Sequence, residues 1–115
     1  MRVALHSVLV HGQEEAYERE HAKIWPDVLA ALQRVGVKEW VIWRSGGHLF
    51  HMVDADDFAG AMAALEHDPV NERWQEHMAA FVDHFEENPD GEAGLALRHV
   101  WTLTQQAGSS PGRSS

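Results

Sequence analysis

The sequence predicts an α+β domain of ferredoxin-like βαββαβ order, with a four-stranded antiparallel sheet covered by helices on one face. Three observations lead there. Strand-like segments rich in apolar, β-branched and aromatic residues recur at residues 2–10, 37–43, 48–53 and 95–103. Helix-compatible stretches lie between the first and second of these and between the third and fourth, each interrupted by a proline. The middle two strands flank Gly46-Gly47, a tight-turn signal that makes them a hairpin.

Residues 2–10 place Val3, Leu5, Val8, Leu9 and Val10 on both alternating faces, the pattern of a strand buried on two sides. Gly12 ends it, and Glu14 to His21 is charged and helix-compatible. Pro26 suits the first turn of a second helical segment, where its missing N–H is not needed. Val28, Leu29, Leu32 and Val35 follow at helical spacing, with Gly36 as the C-terminal stop. After the hairpin, Asp56 or Asp57 caps a helix running through Ala61, Met62 and Leu65. Asp68-Pro69 interrupts it, and a longer amphipathic helix is expected over residues 70–85. Asn88-Pro89-Asp90-Gly91 reads as a loop before the last strand at 95–103. The expected domain is residues 1–105, followed by a disordered Gly/Ser/Pro-rich tail at 106–115. No internal repeat is visible.

The second strand has a consequence for assembly. Trp40 and Ile42 point to one side of the sheet, Val41 and Trp43 to the other, and both pairs are large and apolar. Helices cover one face only, so the open face marks an interface or a ligand cavity. A homodimer packed sheet to sheet is the economical expectation.

Composition removes whole classes. At 115 residues and 44% hydrophobic, the chain is expected to form one folded domain. The absence of cysteine excludes a disulfide scaffold, a thiol nucleophile and a thioredoxin-like site. Eighteen acidic against nine basic residues, a net charge of −9 with no Lys/Arg cluster, argue against a nucleic-acid partner. No run of 18 apolar residues suggests a membrane span, and Met1 to Ser7 alternates like a strand rather than a signal peptide. A cytoplasmic protein is expected. There is no Gly-rich phosphate loop for a nucleotide cofactor, and Ser7 and Ser45 sit in no nucleophile-elbow context.

Nine histidines raise the question of metal, but no HExxH is present. His48 and His51 are three apart on a strand and face opposite ways. His77 and His84, expected on one helix face, would be two turns or about 10 Å apart, too far for one ion. No metal site is therefore assigned. Tyr17 and His21 lie four apart, so on one helix they share a face and can act on one small ligand. Histidine titrates near neutral pH and suits general acid–base work. The same spacing also fits a helix with one core aromatic and one exposed histidine. Among five tryptophans, Trp74 stands between Arg73 and the carboxamide of Gln75 on an amphipathic helix. An indole offers a flat apolar face and an N–H donor, a combination suited to a sugar ring as well as to a core.

Tyr17-x-x-x-His21-x-x-Ile24-Trp25-Pro26, Leu32, Gly36, Trp40-Val41-Ile42-Trp43, Leu49-Phe50, Arg73-Trp74, Met78, Asn88-Pro89-Asp90 and Val100-Trp101 together resemble the L-rhamnose mutarotase family. The resemblance covers about residues 2–104, and the Tyr17-to-Pro26 block is its most specific part. It implies a dimeric ferredoxin-like α+β barrel that interconverts the α and β anomers of a 6-deoxy-L-hexose without cofactor or metal. It further implies that His21 is the proton donor and that Tyr17, Trp40, Trp74 and Gln75 occupy substrate-binding positions. Two of these depart from the family pattern: Trp40 stands where tyrosine is usual, and Gln75 where a second tryptophan is usual. L-Rhamnose is the first expectation and L-fucose the rival sugar. Two other readings stay open at this point: a cofactor-free monooxygenase or haem-handling protein of the same dimeric fold, and a non-catalytic sugar-binding module.

Overall fold

The structure, a computed structural model, describes residues 1–109. Four strands, β1 (Arg2–Leu9), β2 (Val37–Ser45), β3 (His48–Ala55) and β4 (Val82–Phe85), form one antiparallel sheet in the order β2-β3-β1-β4. This is the predicted arrangement, with β1 and β3 central. Helices α1 (Glu14–His21) and α2 (Pro26–Arg34) connect β1 to β2, and α3 (Phe58–Glu66) and α4 (Pro69–Met78) connect β3 to β4. Among the described residues, no helix is long and apolar enough to cross a membrane.

Strand alternation decides what the helices cover. Val3, Leu5, Ser7 and Leu9 of β1, and Leu49, His51, Val53 and Ala55 of β3, are buried against them. The intervening Ala4, His6, Phe50 and Met52 line the other face and are half-buried or exposed. Phe58 is completely buried at the centre of one cluster with Val3, Leu5, Val53 and Ala61. Burial of a side chain this size contributes on the order of 2–3 kcal/mol and seats α3 on the sheet. A second cluster joins Tyr17, Val28, Leu49, Trp74 and Met78, which brings α1, α2 and α4 together over the β1–β3 end.

Proline and aspartate set the helix boundaries. Trp25 and Asp68 are both extended, with ψ 138° and 120°, as a residue before proline prefers. Pro26 and Pro69 then open α2 and α4. Asp57 caps α3 by accepting from the Gly60 N–H at 3.0 Å, and Asp68 caps α4 by accepting from the Val70 and Asn71 N–H groups at 2.8 and 3.3 Å. Gly36, at φ +96°, closes α2 in the left-handed region.

Three expectations are corrected. The amphipathic helix expected to 85 stops at Met78, and residues 82–85 are the fourth strand instead. β4 pairs Phe85 with Ser7 and Val82 with Leu9, so four residues of β4 span three of β1 across a bulge. That bulge lets apolar residues three apart face the helices, and the resulting spacing mimics the continuation of a helix. Accordingly His84 lies on β4 beside Asp83 and Glu86, not on a helix face with His77.

Residues 95–103, expected as the last strand, form none. Ala96 is buried and the Leu97 N–H donates to the Ala4 carbonyl at 2.7 Å, after which the chain leaves the sheet. The preceding loop closes on itself. Asn88 donates its amide to the Ala96 carbonyl at 2.7 Å, and a Cβ at Gly91 would stand 2.0 Å from that same oxygen. Finally, helix α5 (Leu103–Ser109) occupies the first four positions of the expected 106–115 tail; residues 110–115 lie outside the described residues.

The Asp68 cap should be measurable. Asp68→Ala is expected to lower stability by about 1–2 kcal/mol in urea unfolding. Asp68→Asn keeps an N-cap acceptor and should recover most of this, because the lost ion pair to the exposed Arg34 is worth little.

Candidate active site

The site begins with α1. Tyr17 and His21 are one helical turn apart on its inner face, their ring centroids 5.0 Å apart. Tyr17 is buried; His21 is half-buried. Across from them, α4 presents Trp74, whose ring meets His21 edge-on at 6.0 Å. Trp74 is itself held by Trp25, edge-on at 5.0 Å, and by His77 at 5.7 Å. His77 Nε2 lies 3.0 Å from Glu20 Oε2, tying α4 to α1. Gln75, one position on, donates to Asn71 Oδ1 at 3.3 Å, and Asn71 is anchored by its own amide to the Leu65 carbonyl.

The sheet supplies the floor. Trp40 and Ile42 of β2 point toward the helices, in register with Val53 and His51 of β3. The Trp40 indole N–H donates to His51 Nδ1 at 3.0 Å, and His51 Nε2 lies 2.8 Å from the Ser7 hydroxyl. Between floor and helices run two adjoining cavities. A cleft of about 1000 Å³ includes Trp40, Ile42, Met62 and Phe85 in its lining, and a recess of about 60 Å³ includes Ser7, Tyr17, His51 and Met78. His21, Trp74 and Gln75 line both.

The five candidate residues thus line two adjoining cavities: Tyr17 the recess, Trp40 the cleft, and His21, Trp74 and Gln75 both. Such a cavity can hold a small ring against indole faces while presenting an imidazole and a phenol to it. Sequence reasoning missed Ser7, His51 and His77 as parts of the site. For His51 a signal existed, because it falls in phase with Leu49, Val53 and Ala55 on the buried side of β3. Among the described residues, no three His, Asp or Glu side chains gather as a metal site.

Burial governs the titration of these groups. It pushes the Tyr17 phenol well above its usual range, so the hydroxyl stays protonated. It lowers the His21 pKa below 6.5, partly offset by a hydrogen bond with its own backbone. It pushes His51 down to about 4, with the neighbouring His21 and His6 acting in the same direction.

A family model described as L-rhamnose mutarotase matches residues 2–103. An L-rhamnose mutarotase of Verminephrobacter eiseniae is 37% identical over 81 residues, covering 68% of this chain and 74% of that protein. One of Acidiphilium cryptum is 34% identical over 105 residues, covering 89% and 97%. The solved L-rhamnose mutarotase of Formosa agariphila superposes with a TM-score of 0.65 at 27% identity, over 90% of this chain and 98% of that one. Tetracenomycin F2 cyclase of Streptomyces glaucescens shares the fold at 18% identity, with a TM-score of 0.60 and coverage of 90% and 98%.

His51 makes stability depend on pH in a defined window. Its folded pKa of about 4 lies below the unfolded value of 6.5, so the unfolded chain binds the extra proton first. Stability is fully present above pH 6.5 and lost as pH falls toward 4, by about 3 kcal/mol in all. Urea unfolding between pH 7 and 4.5 should show a steeper loss in the wild type than in His51→Gln. Equal slopes would mean that His51 is not held neutral.

Proposed function

This chain belongs to the L-rhamnose mutarotase family and is a sugar mutarotase, an isomerase; we propose that it acts on L-rhamnose in the cavity bounded by Tyr17, His21, Trp40, Trp74 and Gln75. The observation that carries the assignment of these residues is the placement of His21 between cleft and recess, with Tyr17 beside it and Trp74 across.

Mutarotation sets the requirements. The cyclic hemiacetal loses the anomeric O–H proton and gains one on the ring oxygen, and the C1–O5 bond breaks to give the aldehyde. After rotation about C1–C2, the O5 hydroxyl adds to the opposite face of the carbonyl. In this reading His21 donates to the ring oxygen while solvent water takes the anomeric O–H proton; on closure water returns a proton to the carbonyl oxygen and His21 takes its own back from the O5 hydroxyl. Proton transfer of this kind contributes about 10²–10⁴-fold. Tyr17, kept protonated by burial, orients the sugar at or beside the anomeric hydroxyl. Trp40 and Trp74 hold the apolar side of the ring, and Gln75 bonds a ring hydroxyl. A net charge of −9 supports a neutral sugar rather than nucleic acid as the partner, and a cytoplasmic setting belongs to the same reading.

We further propose that the working unit is a homodimer packed through the open sheet face. On that face Trp43 and Phe50 remain 57% and 40% exposed. Leu97, Val100, Trp101 and Leu103 beyond the last loop are also exposed. Apolar surface of this extent favours burial against a second copy.

His21→Ala should keep the fold and slow anomer exchange of L-rhamnose by about 10²–10⁴-fold, read by saturation-difference NMR on L-rhamnose, L-fucose and related sugars. Undiminished exchange would remove His21 from the mechanism, and faster exchange of L-fucose would reassign the sugar. Because burial keeps the His21 pKa under 6.5, its donating form grows as pH falls, so kcat should rise below that value. A kcat that instead rises with pH makes His21 a base rather than a donor. Trp43→Glu with Phe50→Glu should shift sedimentation from dimer to monomer; a monomeric wild type would refute the assembly.

A further inference from the structure

We propose that His51 is a positioning residue for this reaction, its Nδ1 holding the Trp40 indole as a fixed plane in the sugar cleft while Ser7 holds His51. The proposal rests on the reading of Trp40 as a sugar contact.

Three side chains from three strands form one chain of hydrogen bonds. Trp40 Nε1 of β2 lies 3.0 Å from His51 Nδ1 of β3, and His51 Nε2 lies 2.8 Å from Ser7 Oγ of β1. Chemistry fixes the direction. An indole N–H can only donate, so Nδ1 must be bare. A neutral imidazole then carries its proton on Nε2 and donates it to the Ser7 oxygen. Ser7 is fully buried and His51 is 4% exposed, so neither bond competes freely with water. A protonated His51 would set an N–H against the indole N–H, and the burial that disfavours this charge protects the arrangement.

Two consequences follow for the site. Trp40 stands on β2, at the edge of the sheet, and without an anchor its indole could rotate in the 1000 Å³ cleft. With its N–H turned inward to His51, the residue meets the sugar as an apolar plane and offers no hydrogen bond to a ring hydroxyl. His51, although close to His21 around the recess, has both ring nitrogens engaged and carries no proton for the reaction.

The tautomer is testable in the unaltered protein. A long-range ¹H–¹⁵N spectrum at neutral pH should show His51 protonated on Nε2 with Nδ1 bare; a proton on Nδ1 overturns the proposal without any variant. In kinetics, His51→Leu should raise KM for L-rhamnose about three- to tenfold, the worth of one hydrogen bond, with kcat within about twofold. His51→Gln, with an acceptor and a donor on one carboxamide, should restore most of the loss. Ser7→Ala should produce a smaller rise in KM and guards against a His51→Leu chain that does not fold. An unmoved KM in both His51→Leu and Ser7→Ala, or a His51→Gln no better than His51→Leu, overturns the role. Trp40→Phe separates the two readings. Unchanged KM there removes the sugar contact itself, whereas a raised KM with unmoved His51 variants removes only the positioning.

Discussion

The antiparallel register of β1 against β3 is the constraint on which the site depends. Seven pairs, from Arg2 with Asp54 to Val8 with His48, decide which side chains face the helices. Because side chains alternate with period two, a slip of one residue would exchange Leu5, Ser7 and His51 for Ala4, His6 and Phe50. The pairing sets Leu5 opposite His51 and Ser7 opposite Leu49, so the serine lies diagonally across from the histidine and can take its N–H. β2 extends the same phase to Trp40 and Ile42. A polar thread therefore runs through an otherwise apolar floor, and each atom in it has a partner.

Above that floor, the broken helices supply the chemistry. A continuous helix over residues 14–34 would give one direction to the whole segment. The interruption before Pro26 lets α1 carry Tyr17 and His21 while Trp25 turns back against Trp74. The interruption at Asp68-Pro69 does the same for α4, and the Glu20–His77 contact joins the two. His21, the proposed proton donor, is consequently held by packed aromatic rings rather than by a surface loop, which suits a reaction that needs a fixed imidazole near a small ring.

Much of this was legible in the residues. The hairpin at Gly46-Gly47, the break at Asp68-Pro69, the stop at Gly36 and a cap at one of Asp56 and Asp57, which is Asp57, are local chemistry, and each stands where it was expected. Tyr17 and His21 were recognisable by their four-residue spacing, and Trp74 by its neighbours. The fourth strand was misread because Trp74, Met78, Phe81, Val82 and Phe85 continue one helical stripe in the sequence. Nothing in that stripe records that β1 has an edge to be paired, or that a bulge would let residues 82 and 85 face the same side. His51 was passed over for a related reason. A lone histidine on the buried phase of a strand acquires meaning only from what stands across from it.

By itself, the sequence determined the alternation of strands and helices, where the helices begin, the hairpin and the family to which the chain belongs, because propensity and turn chemistry act between residues a few positions apart. Only the tertiary structure decided which segment closes the sheet at β1, that Trp40 turns its N–H to His51, and that His51 is held neutral against Ser7. Those outcomes depend on satisfying buried polar groups with partners 11 and 44 residues away, and no local pattern encodes a partner at that distance.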